Sequence, residues 1–513
     1  MFSKWKIGMV TSLFALTTFA TTTSAEEPSV AHQNWQESVE EQAKKLNAPI
    51  DTSAEELLFL QQTLKDKQTV LSGMTTMHQS KDNRIKYLHE KLARQNWQEW
   101  VGEHAKRLNA PTDTSTEDLT FLQQTLKDNR IVLLGESTHG STEMNQSKIR
   151  MIKYLHEELD YDVLAFEAGF AETNAVYQNL DNLTAEQAMK QAIYGVWFTE
   201  EVEELFQYMK EQKEKGDPLI LTGFDMQVPW NSSTAPFASF AKEWIGKVNP
   251  EIANVIQEAE SEIVELRDAP SYEVFKEKKQ PVLDKYERVK EFVQHHKAEL
   301  LQVAPSKSYD VNLLEQTINI RIDTINTYIE NDKKIMSGIP PENVTDIPFY
   351  LRDQKMAENL LWLSEEQFKN EKIIVWGHNY HIRKQNSKMI QDFTNTDGYA
   401  GPNMIDFIPD FIKDQMYSIG VFAYSGSSLG SDNQSVFPVS EKHEANSIEE
   451  ILKAGQHPQV FVNLKGEKNH PGTSWMFSPI KGKYWGFVDE IMIPNQQYDG
   501  ILWLEHITPS HIK

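Results

Sequence analysis

One histidine and two carboxylates follow two apolar segments of this chain at short distance. Residues 131–134, IVLL, predict a buried strand, and the turn after them carries Glu136 and His139. A polar turn and an amphipathic helix come next, and a second apolar run, residues 163–166, is followed at once by Glu167. Open α/β sheets place their chemistry beyond the carboxyl ends of their strands, so these three side chains are expected at one site. A neutral histidine can take a proton from water near neutral pH while a carboxylate sets its tautomer, which indicates acid–base hydrolysis.

Each of these residues also has a structural explanation. Ser137 or Thr138 could cap the helix that follows, and Glu136 would then favour the helix N-terminus. An acid at the end of a buried strand needs a partner, so Glu167 could belong to a structural ion pair.

A second pair of histidines closes another apolar segment. His378 and His381 stand in GHNYH, where they could bind zinc, act as acid and electrophile, or be ordinary loop histidines. Asp225 in TGFD is a weaker example of the same pattern. Lys148 lies about two and a half turns beyond His139 on the predicted helix and could reach a developing oxyanion, although a solvated helix lysine is the commoner outcome.

A G-x-S-x-G motif at residues 426–430 offers a competing nucleophile, Ser428. A nucleophile elbow needs a strand before the serine and a helix immediately after it. The preceding YSIGVFAY predicts the strand, but SDNQSVFPVS has no helical period. Ser428 is therefore not expected to be the nucleophile.

The elements that position these residues alternate along the chain. Helical patterns, such as residues 200–215 and 352–369, separate several apolar runs, which predicts an α/β fold with a mainly parallel central sheet flanked by helices. Residues 236–335 contain no convincing strand and predict a long helical insertion. We expect this insertion to form a wall or a cover of the cleft that holds the predicted site. Residues 430–499 predict long loops with short strands. The further apolar runs are 219–225, 372–379, 417–426 and 500–506.

The front of the chain is duplicated. Residues 33–66 match residues 95–128, and a shorter match continues beyond them with a gap. The gap removes the turn that carries Glu136 and His139, so the first copy cannot support the same chemistry. Residues 26–94 are interpreted as a helical, non-catalytic partial duplication, and residues 95–513 as the hydrolase domain.

Composition limits the location and the partners of the protein. The chain has 513 residues, of which 39% are hydrophobic, and no cysteine, which excludes disulfides and a cysteine nucleophile. Residues 1–25 look like an export signal, with Lys4 and Lys6 before an apolar run and small residues at its end; an uncleaved anchor is the alternative. The net charge of −24 disfavours nucleic acid and anionic membranes. We expect a secreted or extracytoplasmic protein without stable membrane insertion after signal cleavage.

Several short motifs resemble the erythromycin esterase family, in the order in which that family has them. They cover roughly residues 95 to 506. The motifs are GESTHG (135–140), LAFEAG (164–169), TGFDMQ (222–227), RDQKMAENLLWL (352–363), VWGHNYH (375–381) and YDGILWLEH (498–506).

The resemblance implies a function and roles for residues. Characterised members hydrolyse the macrolactone ester of macrolide antibiotics, with a histidine base acting on water and without a metal or a covalent serine. By motif, His139 would be that base, Glu136 and Glu167 its carboxylate partners, and His378 the facing histidine. The family often has arginine where Lys148 stands, so the charge is kept but bidentate geometry is lost.

Three hypotheses follow from the sequence. The first is an exported carboxylic ester hydrolase, with a macrolide lactone as substrate and antibiotic inactivation as its effect. It needs no cofactor, and its small-molecule substrate is bound by Lys148, His381 and Asp225. The second is a metal-dependent hydrolase that uses the four predicted catalytic residues as ligands of zinc or manganese. The third is a secreted, non-enzymatic protein that binds a ligand in the same pocket.

Overall fold

The computed structural model describes residues 75–229, 234–305, 310–392 and 400–513, with side chains from residue 86 onward. The chain divides between Leu92 and Ala93 into two units. The described residues of the first unit belong to a helix, Thr75–His104, and the second unit holds the sheet and the candidate site. The predicted export signal and the first copy of the repeat up to residue 74 lie outside the described residues, so both stay predictions.

A mainly parallel sheet is the centre of the second unit. Its eight strands have the order β1-β9-β12-β6-β2-β5-β3-β4 in the list that closes this paragraph. β9 runs antiparallel to both of its neighbours, and the other neighbouring pairs are parallel. The predicted fold class is thereby confirmed. The strands are β1 (Lys106–Arg107), β2 (Ile131–Leu134), β3 (Val163–Gly169), β4 (Ile220–Asp225), β5 (Ile373–Trp376), β6 (Met416–Ala423), β7 (Ser427–Leu429), β8 (Val436–Pro438), β9 (Gln459–Asn463), β10 (Ile480–Tyr484), β11 (Val488–Met492) and β12 (Gly500–Leu504).

Helices flank this sheet. Two of them, α11 and α13 in the list below, continue into single π-helical turns, Ile325–Ile329 and Leu363–Gln367. Within the described ranges, no helix has the length and apolar character needed to cross a bilayer. The helices are α1 (Thr75–His104), α2 (Phe121–Leu126), α3 (Thr142–Leu159), α4 (Phe170–Gln178), α5 (Ala185–Ala192), α6 (Glu200–Lys215), α7 (Ala235–Gly246), α8 (Pro250–Arg267), α9 (Tyr272–His295), α10 (Lys297–Gln302), α11 (Val311–Thr324), α12 (Glu330–Met336), α13 (Pro348–Trp362), α14 (Asn379–Ile382), α15 (Asp410–Lys413), α16 (Ile448–Leu452) and α17 (Pro494–Gln497).

Strand β2 could be predicted from the sequence because it is buried on both faces of the sheet. It lies between β5 and β6, and all four of its residues are fully buried. Ile131 and Leu133 pack into the core on one face of the sheet, and Val132 and Leu134 into the core on the other. A strand covered on both faces is a continuous apolar run, because successive side chains point to opposite faces.

The position of Glu167 differs from the expected one. The sequence predicts that it follows the strand, but β3 continues to Gly169 and contains it. Pairing between β3 and β4 shifts its register between Phe166 and Gly169. An irregularity of this kind bends a strand and re-aims its side chains, so an acid inside the strand can face the site.

The predicted insertion is helical, from α7 to α12. It is attached beside the carboxyl end of β4, where the Thr324 hydroxyl donates to the backbone oxygen of Met226 at 3.2 Å. The Gln227 amide donates to the Tyr328 hydroxyl at 2.5 Å. The insertion thus packs next to the segment that follows Asp225, and its function as a wall of the cleft stays a prediction. The sequence predicted short strands in residues 430–499, but not that one of them, β9, belongs to the central sheet.

Candidate active site

The turn after β2 depends on a glycine and ends in a capped helix. A Cβ atom at Gly135 would collide with the side chain of Asn379, so only glycine fits there. Helix α3 begins at Thr142, and the cap is Ser141, whose hydroxyl accepts from the backbone N–H of Met144 at 3.3 Å. The alternative caps considered from the sequence, at positions 137 and 138, are therefore wrong. The residues between Gly135 and Ser141 therefore form a turn outside the helix.

Glu136 and His139 form a hydrogen-bonded pair in this turn. Nδ1 of His139 lies 2.6 Å from Oε1 of Glu136, which also accepts from the indole N–H of Trp197 at 2.9 Å. The ammonium of Lys148 binds the other carboxylate oxygen. A carboxylate only accepts, so the proton of a neutral His139 sits on Nδ1 and the lone pair on Nε2. None of the described residues hydrogen-bonds to that Nε2, and the side chain is 15% exposed.

Lys148 is an internal counter-ion of Glu136. Its side chain is fully buried, and Nζ lies 3.5 Å from the centroid of the Trp376 ring. Burial lowers the pKa of Lys148 to about 8, against the opposing effect of the Glu136 charge. Burial acts to raise the pKa of Glu136, but Lys148 and His139 outweigh it and the pKa is lowered. This geometry assigns Lys148 to keeping Glu136 ionised, whereas the sequence suggested contact with the substrate.

A second cluster of charges lies around Arg352 of helix α13. Its guanidinium donates to Glu167 at 2.8 Å and to Asp225 at 2.9 Å. Nε2 of His381 lies 3.2 Å from the same Glu167 oxygen, and its Nδ1 hydrogen-bonds to Asp353. Strands β3 and β4 and helices α13 and α14 thus each contribute a charge to one buried network.

The electrostatics of this second cluster favour the ionised forms of Glu167 and His381, whereas burial raises the pKa of Asp353. Burial acts to raise the pKa of Glu167, but His381 and Arg352 hold it well below its usual value. Burial acts to lower the pKa of His381, but Asp353 and Glu167 raise it to about 9. His381 is therefore protonated at neutral pH. The 3.2 Å separation between Nη1 of Arg352 and Nε2 of His381 is then a contact of two cations that share Glu167 as acceptor.

His378 connects the two clusters. Its backbone N–H donates to Glu167 at 2.8 Å, and its ring lies 5.1 Å from the ring of His139, centroid to centroid. Ring Nε2 donates to the backbone oxygen of Ser137 at 3.0 Å, and Nδ1 accepts from the N–H of Tyr380 at 3.1 Å. Burial is the main reason that its pKa lies well below 6.5. Both ring nitrogens of this neutral imidazole are engaged, so the role of acid or electrophile considered from the sequence gives way to positioning the turn.

Aromatic rings surround His139. The ring of Trp197 lies 4.8 Å from it and the ring of Trp485 5.4 Å, both edge to face. Tyr484, beside Trp485 in the β10–β11 turn, packs against His378 at 4.9 Å. Three aromatic rings thus lie directly against the two histidines of the site.

The seven predicted site residues all lie in these two clusters or between them. Glu136, His139 and Lys148 make up the first, Glu167, Asp225 and His381 the second, and His378 joins them. Sequence reasoning missed Arg352, Asp353, Trp197 and Trp485. The Arg-Asp pair was visible in RDQKMAENLLWL, but Lys355 and Glu358 in the same helix are charged as well, so the pair did not stand out. Tryptophans are common core residues and carried no signal.

Ser428 lies in strand β7 and its hydroxyl is 2.6 Å from the hydroxyl of Thr138. β7 pairs with β8 in a hairpin, so the strand–turn–helix geometry of a nucleophile elbow is not formed at this position. The expectation against a serine nucleophile is consistent with this geometry.

The donor set does not fit the metal-dependent alternative. Lys148 and Arg352 already neutralise Glu136 and Glu167, and the Nδ1 lone pair of His378 is taken by a backbone N–H. Within residues 86–513, apart from the three internal gaps, no group of three or more His, Asp or Glu side chains is arranged to hold a metal ion. A cation at this place would have to displace two buried positive charges.

Comparisons with known proteins identify the family of the chain. The sequence model of the erythromycin esterase family matches residues 156–507, which is more than half of the chain. The chain is an α/β protein of a hydrolase family. It belongs to the erythromycin esterase family. The matched range includes Glu167, Arg352 and His378 and begins after Glu136 and His139.

Two relatives and one solved structure illustrate the likeness. The protein "Putative hydrolase YbfO" of Bacillus subtilis (strain 168) is 47% identical over 418 residues, which are 81% of this chain and 92% of the relative. "Erythromycin esterase type II" of Escherichia coli is 24% identical over 344 residues, 64% of this chain and 78% of the relative. The erythromycin esterase EreC in an open conformation is similar in fold, with a TM-score of 0.54, 15% identity and coverage of 78% of this chain and 97% of EreC.

Proposed function

We propose that this protein hydrolyses a carboxylic ester with water that His139 activates. The observation that carries the proposal is the 2.6 Å bond between His139 Nδ1 and Glu136, which leaves the lone pair of Nε2 directed away from that bond. A partly exposed imidazole with a fixed tautomer is the arrangement that general-base catalysis requires. The buried clusters on either side hold it in place.

The steps follow from the charges around His139. Nε2 takes a proton from water, and the hydroxide attacks the carbonyl carbon of the ester. The imidazolium is stabilised by Glu136, which Lys148 keeps ionised. When the tetrahedral intermediate collapses, the imidazolium returns its proton to the departing alkoxide, so the products are an acid and an alcohol.

We further propose a macrolactone as substrate, with inactivation of a macrolide antibiotic as the effect. The support is the family and the name of the Escherichia coli relative, which is an erythromycin esterase. Action outside the cytoplasm is proposed from residues 1–25 alone. Mass spectrometry of the N-terminus of the protein recovered from culture medium tests the location; an intact Met1 terminus found only in cells would contradict export.

A hydrolysis screen tests the reaction. The purified full chain is incubated with a macrolide and with aryl esters, and products heavier by one water are sought by mass spectrometry. His139→Ala should reduce kcat by about 100- to 10,000-fold, as expected for the loss of a general base. His506→Ala, at an exposed histidine beyond β12, is the matched control and should keep wild-type activity.

Ser428→Ala distinguishes the proposed route from a covalent one. We expect little change in kcat, because the Ser428 hydroxyl is engaged with Thr138 and not with a histidine. Wild-type rates in a well-folded His139→Ala protein, or an acyl group trapped on Ser428, would overturn the mechanism.

A further inference from the structure

The geometry points to Trp485 as the residue that decides which esters reach His139. This inference rests on the proposed ester hydrolysis and adds the substrate class: esters with a bulky apolar group next to the scissile carbonyl. Trp485 is a specificity-determining residue in the turn between β10 and β11, an element that the family motifs of the sequence did not include.

The backbone of this turn is unusual for a tryptophan. Trp485 has φ 54° and Gly486 has φ 74°, and the N–H of Phe487 donates to the carbonyl of Tyr484 at 3.2 Å. Two central residues with positive φ are the mark of a type I′ turn, which strongly favours Asn-Gly. A bulky aromatic residue in this conformation is an outlier, and such outliers cluster at functional sites.

The surrounding chain holds the turn from two sides. The N–H of Trp485 donates to the carbonyl of Ser137 at 3.0 Å, the same oxygen that accepts from His378. The N–H of Ser440 donates to the carbonyl of Gly486 at 2.9 Å. The turn is therefore bonded directly to the segment that carries His139, which positions the indole relative to the histidine.

The indole packs directly against the ring of His139. Its ring is perpendicular to His139, at 89° and 5.4 Å, and nearly parallel to His378, at 29° and 5.8 Å. Trp197 lies against His139 at 4.8 Å. With two indoles against the His139 ring, an ester whose carbonyl carbon approaches Nε2 has one of its substituents beside an indole in this proposal. Aromatic surface favours an apolar substituent there, since burying such a group contributes free energy in proportion to its area.

Trp485→Asn removes the indole and keeps the turn, because Asn-Gly suits two positive φ values. We expect KM for an ester of a bulky apolar acid to rise by about tenfold, the equivalent of losing part of one buried apolar contact. KM for the acetate of the same alcohol, and kcat for both, should change little. Trp485→Phe should keep most of the wild-type ratio between the KM values of the two esters.

Phe487→Asn is the matched control within the same turn. The Phe487 ring stacks on Phe437, at 5.9 Å, and is 45% exposed. This variant should keep the wild-type ratio of the two KM values. Equal loss of discrimination in both variants would show that the turn acts only as a structural element and would overturn the inference.

A chemical measurement separates this inference from the proposed reaction. Diethyl pyrocarbonate modifies accessible neutral imidazoles, and mass spectrometry of the digested full chain reports the rate at His139. Trp485→Asn should raise that rate several-fold above wild type and above Phe487→Asn, whether or not esters are hydrolysed. An unchanged rate of modification in folded protein would refute the claim that the Trp485 side chain limits access to His139. An increased rate without any ester hydrolysis would instead refute the proposed function.

Discussion

Replacing Glu136 by glutamine should lower both the stability and the activity of this protein, and the two effects can be measured separately. Three donors converge on the Glu136 carboxylate: Nδ1 of His139, the indole N–H of Trp197 and the ammonium of Lys148. An amide has a single acceptor oxygen. If that oxygen serves His139 and Trp197, the amide NH₂ faces the Lys148 ammonium, and two donors oppose each other in a buried place.

The cost to stability comes from Lys148. Removing one partner of a buried ion pair costs about 3–5 kcal/mol, because the other charge stays buried and uncompensated. Lys148→Met added to Glu136→Gln removes that charge with a side chain of similar length. We therefore expect the single variant to lose a free energy of unfolding in this range, and the double variant to regain most of it.

The cost to activity comes from His139. An amide has no negative charge to stabilise the imidazolium, and its NH₂ group can hold His139 in the wrong tautomer. The equivalent replacement in a serine protease lowers kcat by about 10⁴-fold. Unlike stability, activity should stay low in the double variant.

Urea unfolding and ester hydrolysis measure the two effects on the same preparations. Glu201→Gln is the matched control, because this buried acid of α6 pairs with His511 at 2.9 Å. It should lower stability and leave kcat/KM unchanged. Activity that returns together with stability in the double variant would show that Glu136 is only a structural partner of Lys148.

Three further results are expected. The pKa of His381 is raised to about 9 in the folded protein, so its stabilising contribution is complete below pH 6.5 and is lost as pH rises toward 9. Between pH 6.5 and 8 the wild type should lose about 2 kcal/mol of unfolding free energy relative to His381→Gln, measured by urea titration; equal slopes would contradict the shift. Asn379→Ala should unfold at lower urea, because its side-chain amide joins α14 to β6 through bonds of 2.8 and 3.0 Å to the backbone of Val421; an unchanged midpoint would show that this link contributes nothing. A chain that begins near Gln95 keeps the buried Trp100 and Val101 of α1 and should stay folded and active; lost activity with a normal circular dichroism spectrum would give residues 26–94 a role in the site.

Much of the fold was accessible from the sequence because its central strands are buried on both faces. The predicted run 131–134 is β2, residue for residue, and helix α6 has the predicted bounds 200–215. Short strands were predicted within residues 430–499, but the place of β9 in the central sheet was not, since QVFVN mixes polar and apolar residues at the antiparallel side of the sheet. The shift in β3 that brings Glu167 into the strand depends on pairing with β4 and has no local signature.

The site divides in the same way between local and distant information. The sequence by itself determined that Glu136 and His139 share one turn, because only two residues of chain separate them. It also determined that further acids and histidines follow other strands of the same sheet. Only the tertiary structure decided their partners. Arg352 reaches Glu167 across 185 residues of chain, and Lys148, which could have been a solvated helix lysine, is buried against Glu136. The type of a residue states which charge it carries, but the free energy of a buried charge depends on what surrounds it in space, and packing alone sets that.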